Sequence, residues 1–263
     1  MLDSAERPGS LPAGEAPLAG VVLALETSGR IGSAAVARDG TVLARRFLTT
    51  PGRTASRLIP AVDEVLQEAG VPLTAVEAVL AGAGPGSFTG VRIAASSAKG
   101  LASALDLPLL VASSLAAAAV SAEALGPLQE LPDPWIADGP GGPWAMEVLE
   151  GDRHVRYVLF DARRGRVYGA CYALGGGRLP EVLVEPHGGT VVETLNRRPP
   201  MGALFMGDGA LAHEALIRAA GFTVQPAPAG VATADGLIRW GFAAEVDRRS
   251  WEPQYLRPWT PGA

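Results

Sequence analysis

With 263 residues, 48% of them hydrophobic and 19% charged, the chain has the composition of a globular protein rather than a disordered one. A net charge of −5 argues against strong unaided binding to nucleic acid, so any such contact is expected to be indirect. The single cysteine, Cys171, excludes an internal disulfide, and no apolar run approaches the ~20 residues of a membrane span. Residues 1–19 lack the apolar stretch of a signal peptide, so a flexible tail on a cytoplasmic protein is expected.

Val21 to Leu25 is a continuous apolar run, the pattern of a strand covered on both faces. It ends in the turn Glu26-Thr27-Ser28-Gly29-Arg30-Ile31-Gly32, resumes over Ser33 to Ala37, and Asp39-Gly40 then signals a hairpin into Thr41 to Ala44. Leu58, Ile59, Val62, Val65, Leu66 and Ala69 recur at helical spacing and Gly70 ends the helix, which requires Pro60 in its first turn or a kink. A strand over Val76 to Leu80 leads to Gly84-Pro85-Gly86-Ser87-Phe88-Thr89-Gly90, a glycine turn that opens a helix from Val91 to about Leu105. Ser87 or Thr89 can cap that helix. Strand, glycine turn and helix N-terminus also form the geometry that holds anions, although the Gly-Lys-Ser/Thr of a phosphate loop is missing. As a bare pattern it reads first as a tight bend. The helix carries Ala94, Ala95, Ala98 and Ala102. Such a surface suits close packing on its own sheet, or an intersubunit helix pair; composition alone favours the former. Leu107 to Val111 reads as a further strand, and Ser113 or Ser114 caps an alanine-rich helix reaching Leu125.

The texture changes over residues 126–153, where Pro and Gly alternate with acids and two tryptophans, Trp135 and Trp144, as in a surface insertion. Beyond it the layout of the first half returns. Tyr157 to Phe160 is apolar, Asp161-Ala162-Arg163-Arg164-Gly165-Arg166 turns, and Val167 to Tyr172 resumes. That repetition predicts two related lobes, 20–125 and 154–263. Ala203 to Met206 is a strand ending at Gly207-Asp208-Gly209-Ala210; a helix with Leu211, Ala215, Leu216 and Ala220 on one side follows, closed by Gly221. Thr233 caps a last helix with Leu237, Ile238, Gly241 and Ala244 in register, before an extended, proline-punctuated end.

The stretch Gly84 to Ile93, with Gly84, Pro85, Gly86, Ser87, Phe88, Thr89, Gly90 and Arg92, resembles the signature of the TsaB (YeaZ) family of tRNA threonylcarbamoyladenosine biosynthesis proteins. Ala24-Leu25-Glu26-Thr27-Ser28, Arg57-Leu58-Ile59-Pro60, Asp161 to Tyr168 and Pro253-Gln254-Tyr255-Leu256-Arg257 match the same family in its order. The resemblance implies an α/β fold of two actin-like, RNase H-like lobes with mixed sheets flanked by helices. It also implies a non-catalytic subunit that partners the transferase TsaD and the ATPase TsaE in transferring a threonylcarbamoyl group to adenosine beside the tRNA anticodon. Partner contact, or a homodimer through the same elements, is expected on the helices about 56–69 and 91–105, at Leu58, Val62, Val65, Ala94, Ala95, Ala98, Leu101 and Ala102. The sequence departs from the family where Glu26 replaces the usual Asp and where Arg53 and Thr54 stand in the neighbourhood of the usual His.

An actin-like ATPase needs a phosphate turn in each lobe, a metal-holding acid and an adenosine pocket. Glu26, Thr27 and Ser28 stand at the first turn with a single glycine; Asp161 stands at the second, followed by two arginines; Gly207 and Asp208 stand at the adenosine side. The set reads as a degenerate nucleotide site, with no cofactor bound tightly by this chain and ATP assigned, if anywhere, to the complex interface. His154, His187 and His213 are too scattered for a metal site, Ser87 lacks a Gly-x-Ser-x-Gly setting, and no catalytic residue is assigned. The alternative reading is an autonomous nucleotide-dependent ATPase or phosphotransferase using Glu26, Asp161 and Asp208.

Overall fold

Runs of apolar residues without alternation become the central strands of two sheets, because each sheet is covered on both faces. The computed structural model describes residues 16–50, 52–124, 154–175, 180–227 and 229–254. In the first half, β1 (Ala16–Pro17), β2 (Val21–Glu26), β3 (Gly32–Arg38) and β4 (Thr41–Leu48) precede α1 (Thr54–Ala69). A short 3₁₀ turn, β5 (Ala78–Gly82), α2 (Phe88–Leu105), β6 (Leu109–Ala112) and α3 (Ser114–Ala124) follow. The second half contains β7 (His154–Asp161), β8 (Arg166–Leu174), β9 (Glu181–Thr190), α4 (Val191–Asn196), β10 (Leu204–Met206), α5 (Asp208–Ala212) and α6 (Glu214–Ala219). It closes with β11 (Thr223–Val224), α7 (Ala234–Trp240) and β12 (Phe242–Val246).

The sheets run β1-β12-β6-β5-β2-β3-β4 and β11-β10-β7-β8-β9. In each, an antiparallel three-strand meander is extended on the side of its first strand by two parallel strands: β2, β5 and β6 in one, β7, β10 and β11 in the other. The same wiring twice gives the two related lobes that the repeated sequence layout predicted, and it agrees with the RNase H-like fold that the resemblance implies.

Alternate residues of each central strand feed different cores. Val21, Leu23 and Leu25 pack with Leu58, Val62, Val65, Ala98 and Ala102 under α1 and α2. Val22 and Ala24 face the other way, onto Leu115 to Val120 of α3, Leu237 and Ile238 of α7, and Val158 and Phe160 of the second sheet. Tyr157, Leu159, Cys171 and Phe205 form the outer core with Val191 and Ile217. The layers are therefore helix, sheet, the central α3/α7 pair, sheet, helix. Gly236 lets α7 cross α3 closely, because a Cβ there would strike Ser121 Oγ and the Ala117 carbonyl.

Several expectations shift. Helix α1 begins at Thr54, so Pro60 lies inside it rather than in its first turn. Gly241 is the left-handed C-cap of α7, and Ala244 belongs to β12 rather than to the helix. The helix read through Leu211 to Ala220 is broken at His213 into α5 and α6. Strand β12 pairs with β6, so the chain returns from the second lobe to the first sheet, and β1 pairs with β12 within the stretch read as a tail. The 126–153 insertion with Trp135 and Trp144, residues 1–15 and Tyr255-Leu256-Arg257 lie outside the described residues. Among the described residues no helix is long and apolar enough to cross a membrane.

Candidate functional site

The glycine turn between β5 and α2 is built around the backbone of the β2–β3 turn. The Ser87 N–H donates to the Ser28 carbonyl (2.7 Å), and Ser87 Oγ caps α2 by accepting from the Gly90 N–H (3.3 Å). A Cβ on Gly86 would sit 2.6 Å from the Ser28 carbonyl oxygen, and one on Gly90 would overlap the Thr27 carbonyl oxygen. Glycine is required here by close approach rather than by left-handed backbone; Gly84, at φ +86°, needs it for the conformation itself. Thr27 Oγ1 donates to the Gly90 carbonyl (2.6 Å) and accepts from the Ala94 N–H (3.0 Å), which clamps the first turn of α2 to β2. From the other side the Gln254 N–H donates to the Ala83 carbonyl (2.7 Å). Three of the five recognised stretches thus meet at one end of the first sheet.

Glu26 ends β2 and is fully buried. Its Oε1 accepts from the Ser28 N–H (2.5 Å) and its Oε2 from Ser114 Oγ (2.7 Å), which in turn accepts from the Gly84 N–H (3.1 Å). Gly82 makes room for the carboxyl group, since a Cβ there would overlap Oε2. Burial pushes the Glu26 pKa up, opposed by the hydrogen bonds from Ser114 and Ser28. Ser114 and Gly82 were not singled out with Glu26 from sequence. The cap of α3 falls to Ser113, whose Oγ accepts from the Ala116 N–H, leaving Ser114 for the acid.

The second lobe repeats the arrangement with different chemistry. Asp208 Oδ1 accepts from the Asp161 N–H (2.9 Å), and Asp161 Oδ1 accepts from the Arg163 N–H (2.8 Å). Gly207, at φ +98°, packs so tightly that a Cβ would strike the Leu159 carbonyl oxygen. Burial raises the Asp208 pKa, against the lowering effects of the Asp161 amide and Arg30. Arg30, from the first lobe's β2–β3 turn, reaches Asp208 Oδ2 at 3.4 Å and ties the two turns together. Of the residues singled out from sequence, the structure brings Glu26, Thr27 and Ser28 to one turn and joins Asp161 to Asp208 beside Gly207; Arg30, whose partner lies 178 residues away, was missed. Each acid is engaged by this chain's own groups: both oxygens of Glu26 and Asp208, and one of Asp161. Among the described residues no group of three or more His, Cys, Asp or Glu could hold a metal ion.

The residues expected to meet a partner face inward. Leu58, Val62, Val65, Ala94, Ala95, Ala98 and Ala102 are all buried, and Leu101 is half-buried. Their small or branched side chains let α1 and α2 lie close on the first sheet, so the partner-facing assignment of these particular positions is corrected. The outward faces carry Ile59, Asp63 and Gln67 on α1 and Phe88, Arg92, Ser96, Gly100 and Ser103 on α2. Arg248 fastens the end of α2, donating to the Ala102 and Leu107 carbonyls and to Asp106.

Fold and site together define a two-lobed α/β protein of the actin-like, RNase H-like class, with the acids of its strand-end turns hydrogen-bonded within the chain. The family model described as TsaD, tRNA N6-adenosine threonylcarbamoyltransferase, matches residues 52–137. The TsaB proteins of Escherichia coli K12 (36% identity over 57% of this chain and 54% of that one) and Bacillus subtilis 168 (30% over 62% and 59%) are similar in sequence. The chain thus spans little more than half the length of these curated relatives. A Pseudomonas aeruginosa protein solved as similar to peptidase YeaZ superposes with a TM-score of 0.66 at 26% identity, covering 90% of this chain and all of that one. YeaZ from the same organism gives 0.63 at 25% identity with the same coverage. In sequence and in fold the chain is thus similar to proteins of the TsaB/YeaZ family.

Proposed function

We propose that this chain is a non-catalytic subunit of the machinery that transfers a threonylcarbamoyl group to adenosine in tRNA, acting in the cytoplasm beside a TsaD-type transferase and the ATPase TsaE. The observation that carries the reading is that Glu26 and Asp208 have both carboxylate oxygens engaged within the chain, and Asp161 has one. Glu26 is buried and held by Ser28 and Ser114, and Asp208 is held by the Asp161 amide and Arg30. Asp161 is bonded to the Arg163 amide. An acid that positions water or a metal ion needs a free oxygen directed at the ligand. These acids instead brace turns, and the turn at Glu26 orients α2. No nucleotide is then held tightly by the isolated chain, and any ATP belongs to the assembled complex.

Reconstitution of tRNA modification from purified components tests this directly. Activity should require the chain, and calorimetry with ATP and magnesium on the chain alone should show no tight binding. Charge on the outward helix faces, as in Ile59→Glu with Ser96→Glu, should abolish co-purification with the transferase while leaving the circular dichroism spectrum intact. Full modification without the chain, or tight ATP binding removed by Glu26→Ala, would overturn the proposal.

A further inference from the structure

A cluster of exposed arginines lies on the second lobe, beside the turn that carries Asp161. Arg163 and Arg164 occupy the tip of the β7–β8 hairpin, Arg166 starts β8, and Arg197 and Arg198 end α4; all five are exposed. Register joins them: Arg166 pairs with Thr190, the N-cap of α4, and Arg197 is the C-cap of the same helix. A six-residue helix is about 9 Å long, so Arg166 and Arg197 bracket a short ridge.

The carboxylates close to this ridge are already used. Asp161 serves the Arg163 amide, Asp208 serves the Asp161 amide and Arg30, and Glu193 closes the α4 capping box by accepting from the Thr190 N–H (2.7 Å). Glu193 is held below the usual carboxylate range by its Thr190 hydrogen bonds and then by Arg166 and Arg197, which places both guanidinium groups in its vicinity. Yet none of the five arginines forms an ion pair among the described residues. Elsewhere Arg30, Arg45, Arg46, Arg57, Arg218, Arg239 and Arg248 meet acids, while Arg38, Arg53 and Arg249, scattered singly, form no ion pair among the described residues. The hairpin is also stiff. Arg163, Arg164 and Gly165 sit at φ +63°, +56° and +70°, and the Arg166 N–H closes the turn on the Arg163 carbonyl (3.1 Å). Left-handed backbone at two consecutive arginines is disfavoured for side chains with a Cβ. The turn nevertheless presents both guanidinium groups outward.

We propose that Arg163, Arg164, Arg166, Arg197 and Arg198 form a docking ridge for the phosphodiester backbone of RNA. The chemistry is that of the guanidinium fork, which matches phosphate oxygens in a bidentate manner that an ammonium cannot. One phosphate per roughly 3.4 Å of a duplex strand sets two or three phosphates along a ridge of about 9 Å. On a chain of net charge −5, the ridge confines RNA attraction to one end of the second lobe. The inference rests on the proposed role in tRNA modification and replaces the expectation that tRNA contact is only indirect.

The test uses the full chain, alone and in complex with the transferase, with a fluorescently labelled tRNA transcript titrated at salt from about 50 to 200 mM, the range over which phosphate binding declares itself. Replacing all five arginines with Gln should weaken binding at least tenfold at the lower salt. It should also flatten the plot of log affinity against log salt by about 0.7–0.9 for each phosphate that the variant no longer neutralises. Unchanged affinity and slope, no RNA binding that depends on this chain, or equal competition by polyglutamate, the mark of an acidic-protein surface, would each overturn the ridge. A wild-type chain that binds tRNA through these arginines but adds nothing to modification would sink the proposed function and leave the ridge. Stimulation by the wild type, with the five-fold variant binding tRNA unchanged, would sink only the ridge.

Discussion

Gly90→Ala and Gly100→Ala are the same substitution on the same helix, and the structure gives them opposite signs. At Gly90 the added Cβ would overlap the Thr27 carbonyl oxygen, a backbone atom that cannot swing aside as a side chain could. Either α2 lifts from β2 or the β2–β3 turn moves, and both routes strain the Thr27 hydroxyl bonds to the Gly90 carbonyl and the Ala94 N–H. Two buried hydrogen bonds are worth about 1 kcal/mol each, and overpacking adds about 1–3 kcal/mol. The better helix propensity of Ala returns about 1 kcal/mol. The net loss is about 2–4 kcal/mol, a large share of the roughly 5–15 kcal/mol that holds a domain together. At Gly100 a Cβ meets nothing within 4 Å, so the propensity gain of about 0.5–1 kcal/mol stands alone. Urea denaturation followed by far-ultraviolet circular dichroism measures both. A Gly90→Ala protein within about 0.5 kcal/mol of wild type, or a Gly100→Ala protein equally damaged, would refute close approach as the reason for the signature glycines.

Further outcomes follow from the buried polar groups. Glu26 has a raised pKa in the fold, so its contribution to stability is complete below the ordinary glutamate value of 4.5 and is lost as pH rises through the raised one. Glu26→Gln should therefore gain in melting temperature relative to wild type between pH 4 and pH 8; parallel profiles would exclude this. His187, buried and bonded through Nε2 to Tyr157 Oη at 2.7 Å, is depressed to about 4 by burial and then by Arg197. Its contribution, up to about 3 kcal/mol, is complete above the ordinary value of 6.5 and lost as pH falls towards 4, and His187→Gln should flatten that limb of a denaturation series. Asp235 is fully buried on α7 and pairs with Arg45 of β4 at 3.2 Å. Arg45→Met alone should cost about 1–3 kcal/mol, and the double variant with Asp235→Asn should recover part of that in a thermodynamic cycle. Full additivity of the two changes would show that the pair does not couple α7 to the first sheet.

What sequence could show, and what it could not, divides along chain separation. The meander β2–β4 was legible because Asp39-Gly40 fixes its hairpin locally, and the β5–α2 turn was legible because its glycines stand within seven residues. Strand β9 was hidden because Pro186, Gly188 and Gly189 are poor strand formers, yet its register is set from outside: His187 lies opposite Gly169, where a Cβ would crowd the imidazole at 3.1 Å. Strand β12 was hidden because its partner β6 lies more than a hundred residues earlier. At the site, Glu26 was visible but Ser114, 88 residues on, was not, and Arg30 gave no sign of Asp208. The inward turn of α2 was open from composition, since alanines suit a sheet beneath as well as a partner above; burial of Ala94, Ala98 and Ala102 decides it. The consequence concerns why the signature is written in glycine at all. Gly82, Gly86 and Gly90 each abut a group of the β2 end, respectively the Glu26 carboxyl, Ser28 and the Thr27 carbonyl. The close contacts that brace the Glu26 turn also seat α2 on the sheet with its Ser96 and Gly100 face outward. Bracing the turn and presenting the helix are therefore one structural act, and a side chain added at Gly86 or Gly90 would be expected to displace α2 as well as the turn.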